Sequence, residues 1–196
     1  MLSTVGGRGF PTIALMSPEG DLIGKHNGAR SITGFSASID TAAGLVMARK
    51  KAADGDEAAK TDVFMYELDF GLAGDYETAK KRFSELKMVS DEQKAKIMGS
   101  MAGLEFDAIM AMREDLGEEG IGLKAYEMYK AGRIPTGSSE VDFLFYGVLS
   151  YARANKNAKL ATEVADRLAK TEPFKDPRNA KMLEGVRKEI AGFGDE

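Results

Sequence analysis

Beyond Asp54-Gly55-Asp56-Glu57 the sequence is cut into helix-length pieces, and this punctuation constrains the fold more than any other feature. Helix-ending and helix-capping residues recur at Gly74-Asp75, Ser90-Asp91, Gly117, Gly132 with Pro135, Asn155 to Asn157, and Pro173 with Pro177. They leave segments that read as helices over 58–72, 76–87, 91–113, 118–131, 138–154, 157–171 and 177–191. Ser90 and Gln93 have the spacing of a capping box, in which each satisfies the other's backbone N–H. Helices joined by turns this short fold back on one another, so antiparallel helix hairpins are expected.

The first 54 residues have a different texture. Thr12-Ile13-Ala14-Leu15-Met16 and Leu22-Ile23-Gly24-Lys25-His26-Asn27-Gly28 are short apolar runs separated by Ser17-Pro18-Glu19-Gly20-Asp21. Two such runs around a Pro-x-Gly-Asp turn predict a β-hairpin. Ser31 can cap a helix running to about Ala53. Ile32, Phe35, Ile39, Ala42 or Ala43, and Val46 recur at steps of three and four, which predicts that they form its buried face. Gly34 and Gly44 weaken this helix, each by roughly 1 kcal/mol against Ala. The organisation expected is α/β over 1–54, then all-α over 55–196.

Composition narrows the function. The 196 residues carry 27 Lys and Arg against 31 Asp and Glu, a net charge of −4. That balance argues against a general nucleic-acid binder. The chain has no Cys, so it has no thiolate ligand, no thiol nucleophile and no redox pair. With one His, neither a His-based zinc site nor a Ser-His-Asp triad is expected. No apolar run is long enough to span a membrane, and the first seven residues lack the character of a signal peptide. No catalytic residue, metal site or cofactor is assigned.

Single residues and clusters mostly read as structural. His26 is expected on a solvated strand face, and Asp115, Glu118, Glu119, Asp195 and Glu196 on solvated helix faces. Asp54 to Glu57 is too short for a calcium loop. Gly6-Gly7-Arg8-Gly9 lacks the following Gly-Lys-Ser/Thr of a phosphate loop. Met98, Met101, Met110 and Met112 crowd one segment, with Met65, Met128 and Met182 on others, and core packing is expected of them. Phe143, Leu144, Phe145, Tyr146, Leu149 and Tyr151 cover several faces of one helix, as in a helix buried among neighbours. Tyr126 and Tyr129 with Arg133 could line a concave surface.

Two resemblances add to this reading. Phe70, Gly74, Tyr76, Ala79 and Phe83 resemble the tetratricopeptide pattern, with a looser echo in Gly147, Ala161, Leu168 and Pro173. The segment Gly9-Phe10-Pro11-Thr12-Ile13-Ala14-Leu15-Met16, followed by Pro18-Glu19-Gly20-Asp21-Leu22-Ile23-Gly24 and Gly28, resembles the C-terminal half of a thioredoxin-like domain over about residues 5–53. That family places a cis proline ahead of a strand. The resemblance implies that Gly9, Phe10, Pro11 and Thr12 meet an extended peptide substrate by strand addition. The fold class it implies is a partial thioredoxin-like fold, β-hairpin plus helix, followed by tetratricopeptide-like helix hairpins.

The departure from that family is large. The Cys-x-x-Cys of thiol–disulfide exchange is lacking, and only about eight residues precede Gly9. The expected role of the chain as it stands is protein binding or scaffolding, with a protein or extended peptide as partner. An alternative is a fragment of a thiol–disulfide oxidoreductase whose N-terminal half carries the redox cysteines. A second is a glutathione transferase-like protein, although Arg30-Ser31 stands where that family uses an acidic residue and Ser. The resemblance allows a bacterial envelope location; nothing in the sequence fixes compartment or oligomeric state.

Overall fold

The computed structural model describes residues 13–17, 20–26 and 31–194. By contacts between residues the chain divides into two compact units, Met1–Ile97 and Met98–Glu196. This contact boundary lies inside a helix, whereas the sequence division at 54/55 follows a turn and a resemblance.

In the first unit, strand β1 (Ala14–Met16) pairs antiparallel with β2 (Leu22–Lys25), with Ala14 opposite Lys25 and Leu15 opposite Gly24. The turn between them is tied by the Ser17 N–H to the Asp21 carbonyl at 2.8 Å and by the Asp21 N–H to Ser17 Oγ at 3.1 Å. Helix α1 (Ile32–Ala53) begins where Ser31 Oγ accepts the Gly34 N–H. Helix α2 (Glu57–Asp69) begins at Asp56, whose carboxylate takes the N–H groups of Ala58 and Ala59. Helix α3 (Tyr76–Ser84) is capped by Asp75. Helix α4 (Asp91–Ala111) starts at the capping box that the sequence predicts. The Ser90 N–H donates to Gln93 Oε1 at 2.9 Å, and the Gln93 N–H donates to Ser90 Oγ at 3.2 Å.

The buried face of α1 is only partly the one expected: Ala42 is buried and Phe35 half-buried, but the rest of that face is exposed. Ala42, Leu45 and Ala48 are buried, while Ile32, Ile39 and Val46 are exposed. Close approach decides this. Helix α1 packs along α2, and a Cβ on Gly44 would lie 2.5 Å from the Tyr66 hydroxyl. Small residues therefore set the contact, and the larger β-branched residues remain outside. Gly24 serves the same end in the sheet, where an added Cβ would meet the Phe70 ring at 2.7 Å. Ala42, Leu45 and Phe70 form this core, with Leu15, Ile23, Val63, Tyr66 and Leu72 against it. Ala79 is fully buried, and the Phe64 and Phe83 rings stack at 6.4 Å, linking α2 to α3. Glu67 joins both neighbours, accepting from Arg49 at 2.9 Å and from Arg82.

The second unit is all-helical among its described residues. Helix α5 (Arg113–Lys130) is broken at Gly117, whose φ of 63° and ψ of 179° suit glycine almost alone. The segment expected as one helix over 138–154 is α6 (Ser138–Asp142), a π-helical stretch (Phe143–Leu149) and α7 (Ser150–Ala154). Gly147 approaches Ala125 so closely that an added Cβ would sit 2.5 Å from the Ala125 Cβ. Helices α8 (Ala158–Leu168) and α9 (Pro177–Ala191) follow, capped by Asn157 and Asp176. Phe143, Leu144 and Leu149 lie in the core, as their all-round apolar pattern predicts, and Val148 joins them; Phe145 and Tyr151 are half-buried and Tyr146 is exposed.

Candidate functional site

The residues on which the thioredoxin-like resemblance puts substrate binding, Gly9, Phe10, Pro11 and Thr12, lie outside the described residues. So do Gly6, Gly7, Arg8, Arg30, Asp195 and Glu196. His26 is not on a solvated face. It is half-buried, its Nδ1 shares a 2.8 Å hydrogen bond with Ser38 Oγ, and its ring lies 4.4 Å from that of Phe35. Asp115, Glu118 and Glu119 are exposed, with Glu118 bonded to Arg113. Of the methionines, Met101 and Met128 fill core, whereas Met98, Met112 and Met182 are exposed. Among the described residues, no group of three or more His, Asp or Glu is arranged to hold a metal ion. No described helix is long and apolar enough to cross a membrane.

A concavity lined by aromatic and charged side chains lies in the second unit, where α5 and α8 leave an open groove of about 410 Å³. Tyr126, Tyr129 and Lys130 reach it from α5, being three and four residues apart and so on one helix face. Lys159, Leu160 and Glu163 reach it from α8, with the cap residue Asn157 at its end. Tyr126 is held flat by Tyr151, the rings being 4.3 Å apart and 13° from parallel. The Lys130 ammonium lies 4.7 Å from the Tyr126 centroid. Tyr129 donates its hydroxyl proton to Glu163. Burial, with the Glu163 carboxylate second, pushes the Tyr129 phenol up to about 12.

The groove is thus a fixed aromatic wall with two ammonium groups, Lys130 and Lys159, and among the described residues no carboxylate is ion-paired with either. A second concavity, of about 350 Å³, lies in the first unit, where Lys60 holds Glu57 at 2.6 Å, Arg82 holds Glu67, and Glu85 and Lys87 also line the wall. The sequence singles out Tyr126 and Tyr129, and both line the groove. Arg133 does not join them: its Nε lies 3.5 Å from Glu105 Oε2. Lys130, Lys159 and Glu163 are missed because their proximity arises from the packing of α8 on the segment 143–154, which no local spacing encodes. The arrangement offers ring faces, two ammonium groups and one carboxylate, Glu163, which takes the Tyr129 hydroxyl. Compared with protein-family models, curated proteins and solved structures, the chain matches none.

Proposed function

We propose that this chain is a protein-binding module and that the α5–α8 groove takes an extended peptide rich in acidic residues. The observation that carries the reading is the pair of ammonium groups, Lys130 and Lys159, beside a pre-stacked tyrosine, with the one carboxylate of the lining, Glu163, taken by Tyr129. Cations left unpaired at a concave aromatic surface recognise carboxylates, and a rigid ring loses little entropy on binding. The N-terminal hairpin and α1 are proposed as a thioredoxin-like half serving as scaffold. The order of two antiparallel strands and a Ser-capped helix supports this. The helix pairs are likewise proposed as tetratricopeptide-like, on the burial of Phe70 and Ala79 and the Phe64–Phe83 stack.

The test is calorimetric titration with an alternating Glu-Leu peptide and its Lys-Leu counterpart. The Glu-Leu peptide binds and the Lys-Leu peptide does not. Lys130→Glu with Lys159→Glu weakens binding at least tenfold, and both positions are exposed, so the fold is left intact. Equal binding of the two peptides, or of the variant and the parent chain, contradicts the reading.

A further inference from the structure

The cavity of the first unit carries charges of both signs around an apolar wall. It lies between the α1–α2 corner and the end of α3, with about 350 Å³ of space, the lower end of the range that takes small molecules. Val63, Phe64 and Leu86 give the apolar wall. Three of the charged side chains that reach it are already committed. Glu57 accepts from Lys60 at 2.6 Å. Arg82 holds Glu67, and its guanidinium lies 5.1 Å from the Phe64 ring centroid. Glu85 and Lys87 differ from these. Both line the cavity and are exposed, and among the described residues neither is in an ion pair.

We propose that this cavity binds a small zwitterion with an apolar body, namely a free amino acid with an apolar side chain. Lys87 takes the carboxylate, Glu85 takes the ammonium, and the side chain lies against Val63, Phe64 and Leu86. Charge complementarity selects this class. A ligand with a carboxylate alone would be repelled by Glu85, and one with an ammonium alone by Lys87; only a ligand carrying both charges satisfies the two together. The surroundings reinforce each end. Helix α3 ends at Glu85, so the free carbonyls of its last turn add to the negative end. Lys60 and Lys87 both act on Glu57: the hydrogen bond from Lys60 comes first in holding its carboxyl below the ordinary value, and the charges of both lysines add to it. Two ammonium groups about one carboxylate leave that end positive. Glu85 and Lys87 are two residues apart, which suits a ligand whose ammonium and carboxylate share one carbon. The site is independent of the peptide groove, which other residues line in the second unit.

Amide chemical-shift titrations of the full chain test this with four probes: L-leucine, N-acetyl-L-leucine, L-leucinamide and glycine. Leucine gives saturable shifts concentrated at residues 57–64 and 82–87. N-acetyl-leucine, which lacks the ammonium, and leucinamide, which lacks the carboxylate, each bind at least fivefold more weakly. Glycine, which lacks the apolar body, binds at least tenfold more weakly. Lys87→Ala and Glu85→Ala each weaken leucine at least fivefold. Their effects on the blocked probes have a sign that loss of fold cannot mimic: Glu85→Ala tightens N-acetyl-leucine, and Lys87→Ala tightens leucinamide. Lys130→Glu with Lys159→Glu leaves leucine binding unchanged, which separates this site from the groove. The proposal is overturned by no saturable shift up to tens of millimolar leucine, by shifts confined to other surfaces, by a blocked probe or glycine binding as tightly as leucine, or by Lys87→Ala and Glu85→Ala binding leucine like the parent chain.

Discussion

Tyr129 is held in place by two effects of the same sign: its ring is partly buried, and its hydroxyl donates to Glu163. Both favour the neutral phenol in the fold. The stabilisation it brings is therefore complete below the ordinary value of 10.0 and is lost as pH rises through about 12. In an alkaline absorbance titration, one phenolate step falls near 12 and disappears in Tyr129→Phe; its persistence in that variant would assign the step elsewhere. Two glycines give opposite expectations for the same change. Gly147→Ala forces a methyl to 2.5 Å from the Ala125 Cβ and costs about 1–3 kcal/mol by overpacking. Gly185→Ala, in α9 with nothing within 4 Å, stabilises by about 0.4–1 kcal/mol by restricting the unfolded chain. Thermal melts of the pair check both signs.

Among the elements, the helix starts rest on named acceptors. Ser90→Ala removes half of the capping box of α4 and costs about 1 kcal/mol, read as a lower melting temperature that Ser90→Asp restores. Asp75 and Asp176 cap α3 and α9, and their carboxyls sit below the ordinary value of 3.8. For Asp75 the cause is hydrogen bonding from Thr78, and for Asp176 chiefly that from Arg178. The folded state holds these carboxylates ionised, so their contribution is present above 3.8 and is lost as pH falls below it. Asp75→Ser keeps a cap acceptor without the charge, so its stability declines less steeply on acidification than that of the parent chain. Helix starts were legible because capping is local: Ser31, Ser90 and Asn157 each act within three residues. The face of α1 was legible only at Ala42, because apolar size alone cannot anticipate a contact set by Gly44 and Ala48. The π-helical stretch was also hidden, since Phe143 to Leu149 fit an ordinary buried helix by composition. Ser150 shows the wider turn, its hydroxyl donating to the Phe145 carbonyl five residues back at 3.4 Å.

For the whole molecule, the core cluster of the second unit draws every member from Ala102 to Ile190. A chain beginning at Ser90, which keeps the capping box, should fold alone and unfold cooperatively; a broad, non-cooperative melt would contradict this. At this scale the sequence showed the order of hairpin, long helix and helix pairs. Of the groove it showed Tyr126 and Tyr129, but not the packing that brings Lys130, Lys159 and Glu163 beside them. The most direct measurement is an amide chemical-shift map of the full chain titrated with the Glu-Leu peptide. The account predicts shifts concentrated at Tyr126, Tyr129, Lys130 and residues 157–163. Shifts confined to other surfaces, or none at saturating peptide, would contradict it.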